Sequence, residues 1–224
     1  MLGGMHCIYK KLSAFSSLSQ EREHYKQIIQ QRNIWKATMS SPYGNLGEIP
    51  TTGASPETGR QDGQEISGIP ASEALARTDL QRVNLYRPKI ESVARQTNVD
   101  GAILAAIMSR ESRAGNALDP DGKGDNGNAF GLMQIDIRWH SIRGEWDSEE
   151  HILQATEILI DMYRAIKAKF PSWSASQVMK GALAAYNMGP GNVHSFESVD
   201  SNTTGRDYSN DVVARANFFK ANGF

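Results

Sequence analysis

Disulfide chemistry is absent from this chain, which has a single cysteine, Cys7, among 224 residues. No intramolecular crosslink is possible, so packing alone must hold the fold. Long apolar runs are missing as well. The longest, residues 102–108, is far too short to span a bilayer, so no membrane anchor is expected. The apolar residues of the first eighteen positions are broken by His6, Lys10, Lys11 and several serines, which is not the pattern of a secretory signal. A cytosolic pool or release by an unconventional route is therefore expected. A large charge excess is also lacking: the net charge is −1, which argues against an obligatory polyanion partner. None of the five histidines stands in a metal-ligand or nucleophile-activating motif, and neither metal nor cofactor is expected.

The charge that is present is unevenly placed. Residues 1–41 carry six Lys or Arg against Glu21 and Glu23, a net of +4, and the remainder carries a net of −5. An acidic domain excludes nucleic-acid binding as a leading function. Residues 1–41 read as an N-terminal extension, with 20–39 able to form a loose basic helix, and 42–224 as the folded domain. Within the latter, 42–70 is rich in Pro, Gly, Ser and Thr and is expected to wrap the surface irregularly.

Helical signals dominate from there. Ser72 is a candidate cap for a helix reaching Asn84, and Pro88 can open another ending near Asn98. Asp100 can cap the next. Apolar residues at helical spacing mark a long helix over 148–169, expected to be central. Ser174 and Gln177 form a capping box for a helix ending near Asn187, and a last helix is expected over 210–222. Gly, Asp and Asn break this pattern between 115 and 136, where Asn126-Gly127 signals a hairpin. The predicted fold is mainly α, with one small β-element and an irregular N-terminal extension.

Glu111 is the residue that points to chemistry. In the helix after Asp100, Ile103, Leu104, Ile107 and Met108 fall within an arc of about 140°, and Glu111 projects near its centre. A carboxyl group facing apolar neighbours resists ionisation, which suits a general acid at neutral pH. Glycosidic cleavage needs that proton and, usually, a second carboxylate across the bond. Asp125 and Asp136 follow in the Gly-rich segment, where a hairpin folding back could hold either one opposite Glu111. Gln134 supplies an amide able to donate and accept to a sugar, and Tyr186 and Asn187 stand at the end of a helix beside a Gly turn. Each also has a plain structural reading: a turn aspartate, a core tyrosine, a helix stop.

Several segments together settle the family resemblance: SRESRAG (109–115), GDNGNAFGLMQID (124–136), FPSW (170–173), AYNMGPGN (185–192) and YSNDVVARA (208–216). With YGNLGEIPTTGA (43–54), they resemble goose-type lysozymes in order over about 42–224. The resemblance implies a lysozyme-like helical fold and antibacterial hydrolysis of the β-1,4 bond between N-acetylmuramic acid and N-acetylglucosamine in peptidoglycan, by an inverting route. It implies Glu111 as general acid, Asp125 and Asp136 as the pair that positions or activates water, and Gln134, His140, Tyr186 and Asn187 as cleft residues; of the pair, Asp136 is favoured here as principal base, with sharing of the water by both as the alternative. A monomer acting on bacterial peptidoglycan is expected. Two departures stand out. The cysteines that crosslink bird members are missing, with Pro42, Pro56, Ser67 and Asn98 near their places. The loop 119–125 is extended and its Asp spacing only faintly resembles a calcium loop. The rival readings are a lytic transglycosylase, which would release 1,6-anhydro ends, and an inactive glycan-binding protein.

Overall fold

Asp100 opens the helix around which its neighbours are arranged. Its Oδ1 accepts from the Ala102 amide at 3.0 Å, satisfying one of the free donors of a helix start. The computed structural model describes residues 41–63, 65–224 and Lys26; apart from Lys26, the predicted basic helix over 20–39 lies outside them. In order come α1 (Pro56–Gly59), α2 (Gly68–Leu85), α3 (Arg87–Thr97), α4 (Gly101–Ser112), β1 (Lys123–Gly124), β2 (Ala129–Phe130), β3 (Ile135–Asp136), α5 (Glu149–Lys169), α6 (Ala175–Met188) and α7 (Tyr208–Ala221). The class is mainly α with one small antiparallel sheet.

The central element differs from the expected one. Every residue from Ala102 to Ser109 is buried, and α4 packs against α2, α3 and α7. A helix apolar on all sides belongs in the interior, and Ala102, Ala105 and Ala106 let neighbours approach closely. By contrast α5, the helix predicted to be central, keeps Glu157, Asp161, Arg164 and Lys167 in water. Its broad apolar band rests on α3 and α6, so it is a flanking helix.

Local signals set most helix ends. Asn98, in the left-handed conformation at φ 60°, stops α3. The Ser174–Gln177 capping box starts α6, and Ser148 caps α5 through the His151 amide. Two starts are corrected. The second helix begins at Gly68 rather than Ser72; Ser72 is an interior residue that donates to Asp211 Oδ1 at 2.7 Å and accepts from the Ala54 amide at 2.9 Å. The last begins at Tyr208 rather than Asn210, because the Asp200 carboxylate accepts from the amides of Ser209 and Asn210 at 2.9 and 3.0 Å. That cap comes from outside the flanking residues, where sequence patterns do not look for it.

The sheet is small and its register is simple. Lys123 faces Phe130 and Gly124 faces Ala129, while Ala129 faces Asp136 and Phe130 faces Ile135. Asp125 and Asn126 turn the chain with φ of 47° and 55°, so the hairpin stands where Asn126-Gly127 predicts it. The stretch expected to be irregular over 42–70 is broken by short helical turns at Leu46–Glu48, Pro56–Gly59 and Arg60–Asp62 and ends in α2; Leu46, Ile49 and Ala54 are buried in the core, and Lys180 ties the backbone down by donating to the Pro50 carbonyl.

Candidate active site

Glu111 lies in the last turn of α4, one residue before the helix ends at Ser112. It is partly open to a cleft, but protein surrounds its carboxyl closely enough that desolvation raises its pKa to about 7. Two effects oppose the rise. The Tyr208 hydroxyl donates to Glu111 Oε1, and the Arg110 guanidinium is nearby. Burial wins because Arg110 is already matched. Its side chain is 5% exposed and donates to Asp207 Oδ1 at 3.0 Å, Asp211 Oδ2 at 2.6 Å, Thr58 Oγ1 at 3.1 Å and the Thr204 carbonyl at 3.0 Å. Little of its field is left for Glu111.

Behind this wall runs a buried ionic network. Arg215 and Asp79 are fully buried. Arg215 Nε donates to Asp211 at 2.9 Å, and its Nη1 reaches Ser109 Oγ at 2.9 Å. Ser109 Oγ donates to Asp79 at 2.7 Å. Asp79 also accepts from Arg82 and from Arg113 Nε at 2.9 Å, and Arg113 grips Asp62 at 2.6 and 3.0 Å. Buried pairs add little net stability, but removing one partner costs about 3–5 kcal/mol. The network fixes α2, α4 and α7 in register, and with them Glu111 and Tyr208.

The opposite wall is the sheet and the turn after it. Asp136 ends β3 and accepts from Arg138 Nε at 2.9 Å and Nη2 at 2.5 Å; this pairing holds its carboxyl below the usual range. Asp125 sits exposed in the hairpin turn, and no hydrogen bond reaches its carboxylate from the described residues. Gln134 takes a left-handed φ of 50° and donates through Nε2 to the Gly131 carbonyl at 2.9 Å. Its amide lies so near Gly124 that a Cβ there would stand 2.0 Å from Oε1, so the hairpin needs glycine at that position.

All seven predicted site residues line one cleft of about 810 Å³: Glu111, Asp125, Gln134, Asp136, His140, Tyr186 and Asn187. They are not equally free to meet a ligand. The Tyr186 hydroxyl donates to the Met133 carbonyl at 2.8 Å, joining α6 to the sheet wall. Asn187 Oδ1 accepts from the Thr204 amide at 2.9 Å, so much of that amide is spent on the cleft rim. Sequence reasoning missed Tyr208, Arg110, Arg138 and the exposed Trp139, which also line the cleft. Arg110 carried a signal, as a charge adjoining Glu111 in an otherwise apolar helix. Tyr208 had none at short range. In the loop 119–125, Asp119 Oδ1 accepts from the amides of Asp121 and Lys123 at 3.0 and 2.7 Å, so the loop closes on itself. Among the described residues no cluster of His, Cys, Asp or Glu could hold a metal ion.

A carboxyl whose pKa is raised to about 7 and that shares one cleft with two further carboxylates, in a mainly helical scaffold, is the arrangement of a lysozyme-like glycosidase. The family model described as Lysozyme g matches residues 43–223, and the chain belongs to that family of hydrolases. It is 53% identical over 187 residues to Lysozyme g of Takifugu rubripes, covering 81% of this chain and 98% of that protein. It is 49% identical over 182 residues to Lysozyme g of Struthio camelus, covering 81% and 89%. With Lysozyme g-like protein 2 of Homo sapiens it shares 39% identity over 182 residues, covering 81% and 83%.

Proposed function

We propose that the cleft hydrolyses the β-1,4 bond between N-acetylmuramic acid and N-acetylglucosamine in bacterial peptidoglycan. The observation that carries this reading is that Glu111, its pKa raised to about 7, lines one cleft with two carboxylates, an exposed Asp125 and a partly exposed Asp136. Glu111 gives its proton to the leaving glycosidic oxygen. As the bond breaks, positive charge grows on the anomeric carbon and the ring approaches an oxocarbenium ion. Water attacks from the face opposite the leaving group, oriented and deprotonated by Asp136 and Asp125, and the anomeric centre inverts. No cofactor enters the balance: Glu111 gives one proton to the leaving oxygen, water gives its hydroxyl to the anomeric carbon and its proton to the aspartates, and exchange with solvent returns a proton to Glu111.

The two aspartates divide the work. Arg138 fixes Asp136 in place and, by the same contacts, weakens it as a base. Asp125 is free to accept a hydrogen bond from water. Asp136 therefore orients the water and the lip around it, and Asp125 shares the proton. The test is a digestion of purified peptidoglycan with mass and reducing-end analysis. Hydrated fragments with free reducing ends, of inverted configuration at first appearance by NMR, are expected. Anhydro ends would replace hydrolysis with transglycosylation, and binding without cleavage would make the protein a lectin.

A further inference from the structure

The described chain holds three tryptophans outside the N-terminal extension, and they are treated very differently. Trp173 lies flat on Phe170, with ring centroids 4.1 Å apart and planes at 6°. Trp146 packs over Gly122, where an added Cβ would stand 2.4 Å from it. Trp139 is 79% exposed, and no ring or cation among the described residues packs against it. It nevertheless lines the cleft, beside Asp136 and His140. Its backbone is fixed: the Trp139 amide donates to the Asp136 carbonyl at 3.3 Å, and the preceding Arg138 amide donates to Asp136 Oδ1 at 2.9 Å. The backbone that carries the indole is thus fixed beside Asp136, and the ring itself is left uncovered.

A large apolar ring left in water on the rim of a binding cleft is what an interaction hot spot looks like before its partner arrives. The partner must be flat and apolar on one side and polar at its edge. A β-1,4-linked N-acetylglucosamine ring fits, because its equatorial substituents leave axial C–H groups on both faces. Its N-acetyl and hydroxyl groups would remain in water or reach Arg138, whose side chain is 58% exposed. Accepting the glycan substrate proposed above, we infer that Trp139 is a stacking platform for an N-acetylglucosamine ring of the bound strand, placed outside the bond that is cut. It is a binding and positioning residue that sets how far the strand is held along the cleft, and it takes no part in proton transfer.

The test separates this role from catalysis by measuring binding in a Glu111→Gln background, titrated with the N-acetylglucosamine hexamer. Hexamer binding should shift tryptophan fluorescence. Adding Trp139→Ala should remove that shift and weaken binding roughly three- to tenfold, the range of an aromatic contact. Trp139→Phe should recover most of the affinity. In the otherwise native enzyme acting on soluble uncrosslinked peptidoglycan strands, Trp139→Ala should raise KM by a similar factor, leave kcat within about twofold and leave the thermal midpoint unchanged. Unaltered hexamer affinity and fluorescence in the Trp139→Ala protein would overturn the inference, as would Trp139→Phe binding no better than Trp139→Ala. A fall in kcat at constant KM would also overturn it. None of these outcomes touches the role of Glu111, which is read from cleavage alone.

Discussion

The helical wall of the cleft and its sheet wall carry the same functional group in opposite settings. On the helical side Glu111 is backed by α4, the most buried helix of the described residues, and by a network of charges whose centre, Asp79, Asp211 and Arg215, is fully buried. On the sheet side Asp125 and Asp136 stand on two-residue strands and turns, one exposed and one paired with a solvent-facing arginine. Burial raises the pKa of the first carboxyl to about 7, so it holds its proton well above the ordinary carboxylate range. The arginine makes Asp136 a carboxylate that holds its charge well into acid. The proposed chemistry needs both states at once, and no single environment supplies them. Rigidity follows the same division. The acid is set by long-range packing, and its counterparts by hydrogen bonds within a few residues.

The largest expected effect breaks the helical wall at its functional atom. Glu111→Gln should lower the rate of peptidoglycan cleavage roughly 10²- to 10⁴-fold, the range of a lost general acid. Affinity for glycan should stay nearly unchanged, and wall lysis at native rates in this variant would remove the assignment. On the sheet wall, Asp136→Asn should cost roughly 10²-fold and Asp125→Asn roughly tenfold in kcat, since Asp136 both orients water and anchors Arg138. Equal and trivial losses would refute the shared-water account.

Tyr208→Phe sharpens the comparison more gently. The Tyr208 hydroxyl favours the ionised form of Glu111, so its removal should move the basic limb of the pH–rate profile upward. The acidic limb, which belongs to the sheet wall, should stay where it is. A downward move would mean that the hydroxyl serves the protonated acid instead.

The smallest expected effect is on stability against pH, where two buried groups act in opposite directions. Raised to about 7, Glu111 stabilises the fold fully below the unfolded carboxyl value, and this stability is lost as pH rises through 7. His151 is fully buried. Its Nε2 accepts from the Met133 amide at 3.1 Å, and its Nδ1 has no hydrogen-bond partner among the described residues. Desolvation lowers its pKa from 6.5 to about 4. The unfolded chain binds that proton first, so stability is lost as pH falls from 6.5 toward 4. Each contribution is on the order of 3 kcal/mol by linkage, with the Glu111 share reduced by cleft water. They nearly cancel between pH 5 and 6.5. Denaturant melts should therefore be almost flat there for the native chain, fall with acid in Glu111→Gln, and rise with acid in His151→Gln. Parallel curves for all three would show that neither group is linked to folding.

How much of this was legible in the sequence follows the same division between local and distant contacts. Asp100, Ser148 and the Ser174–Gln177 pair act within four residues of themselves, and the Asn126-Gly127 turn is a local steric matter, so their patterns could be read directly. Glu111 stood out because one carboxyl interrupted an apolar stripe. Tyr208 meets Glu111 across 97 positions, Ser72 meets Asp211 across 139, and Arg215 meets Ser109 across 106. No periodicity encodes such pairings. The placement of α5 at the flank turned on which of two apolar helices had charges on its fourth side, a matter of packing that hydrophobic content alone does not decide. Trp139 was overlooked because an exposed aromatic looks the same in sequence as a buried one.

The most direct test of the central claim is the titration of the Glu111 side-chain carboxyl itself, followed by carbon NMR with glutamate labelled at Cδ and Glu111→Gln used to assign the signal. A midpoint near 7, well above the other glutamates, is the result expected if burial on the helical wall makes this carboxyl the acid. A midpoint in the ordinary range near 4.5 would contradict it: both walls would then carry charge at neutral pH, and the proton for the leaving group would have to come from elsewhere.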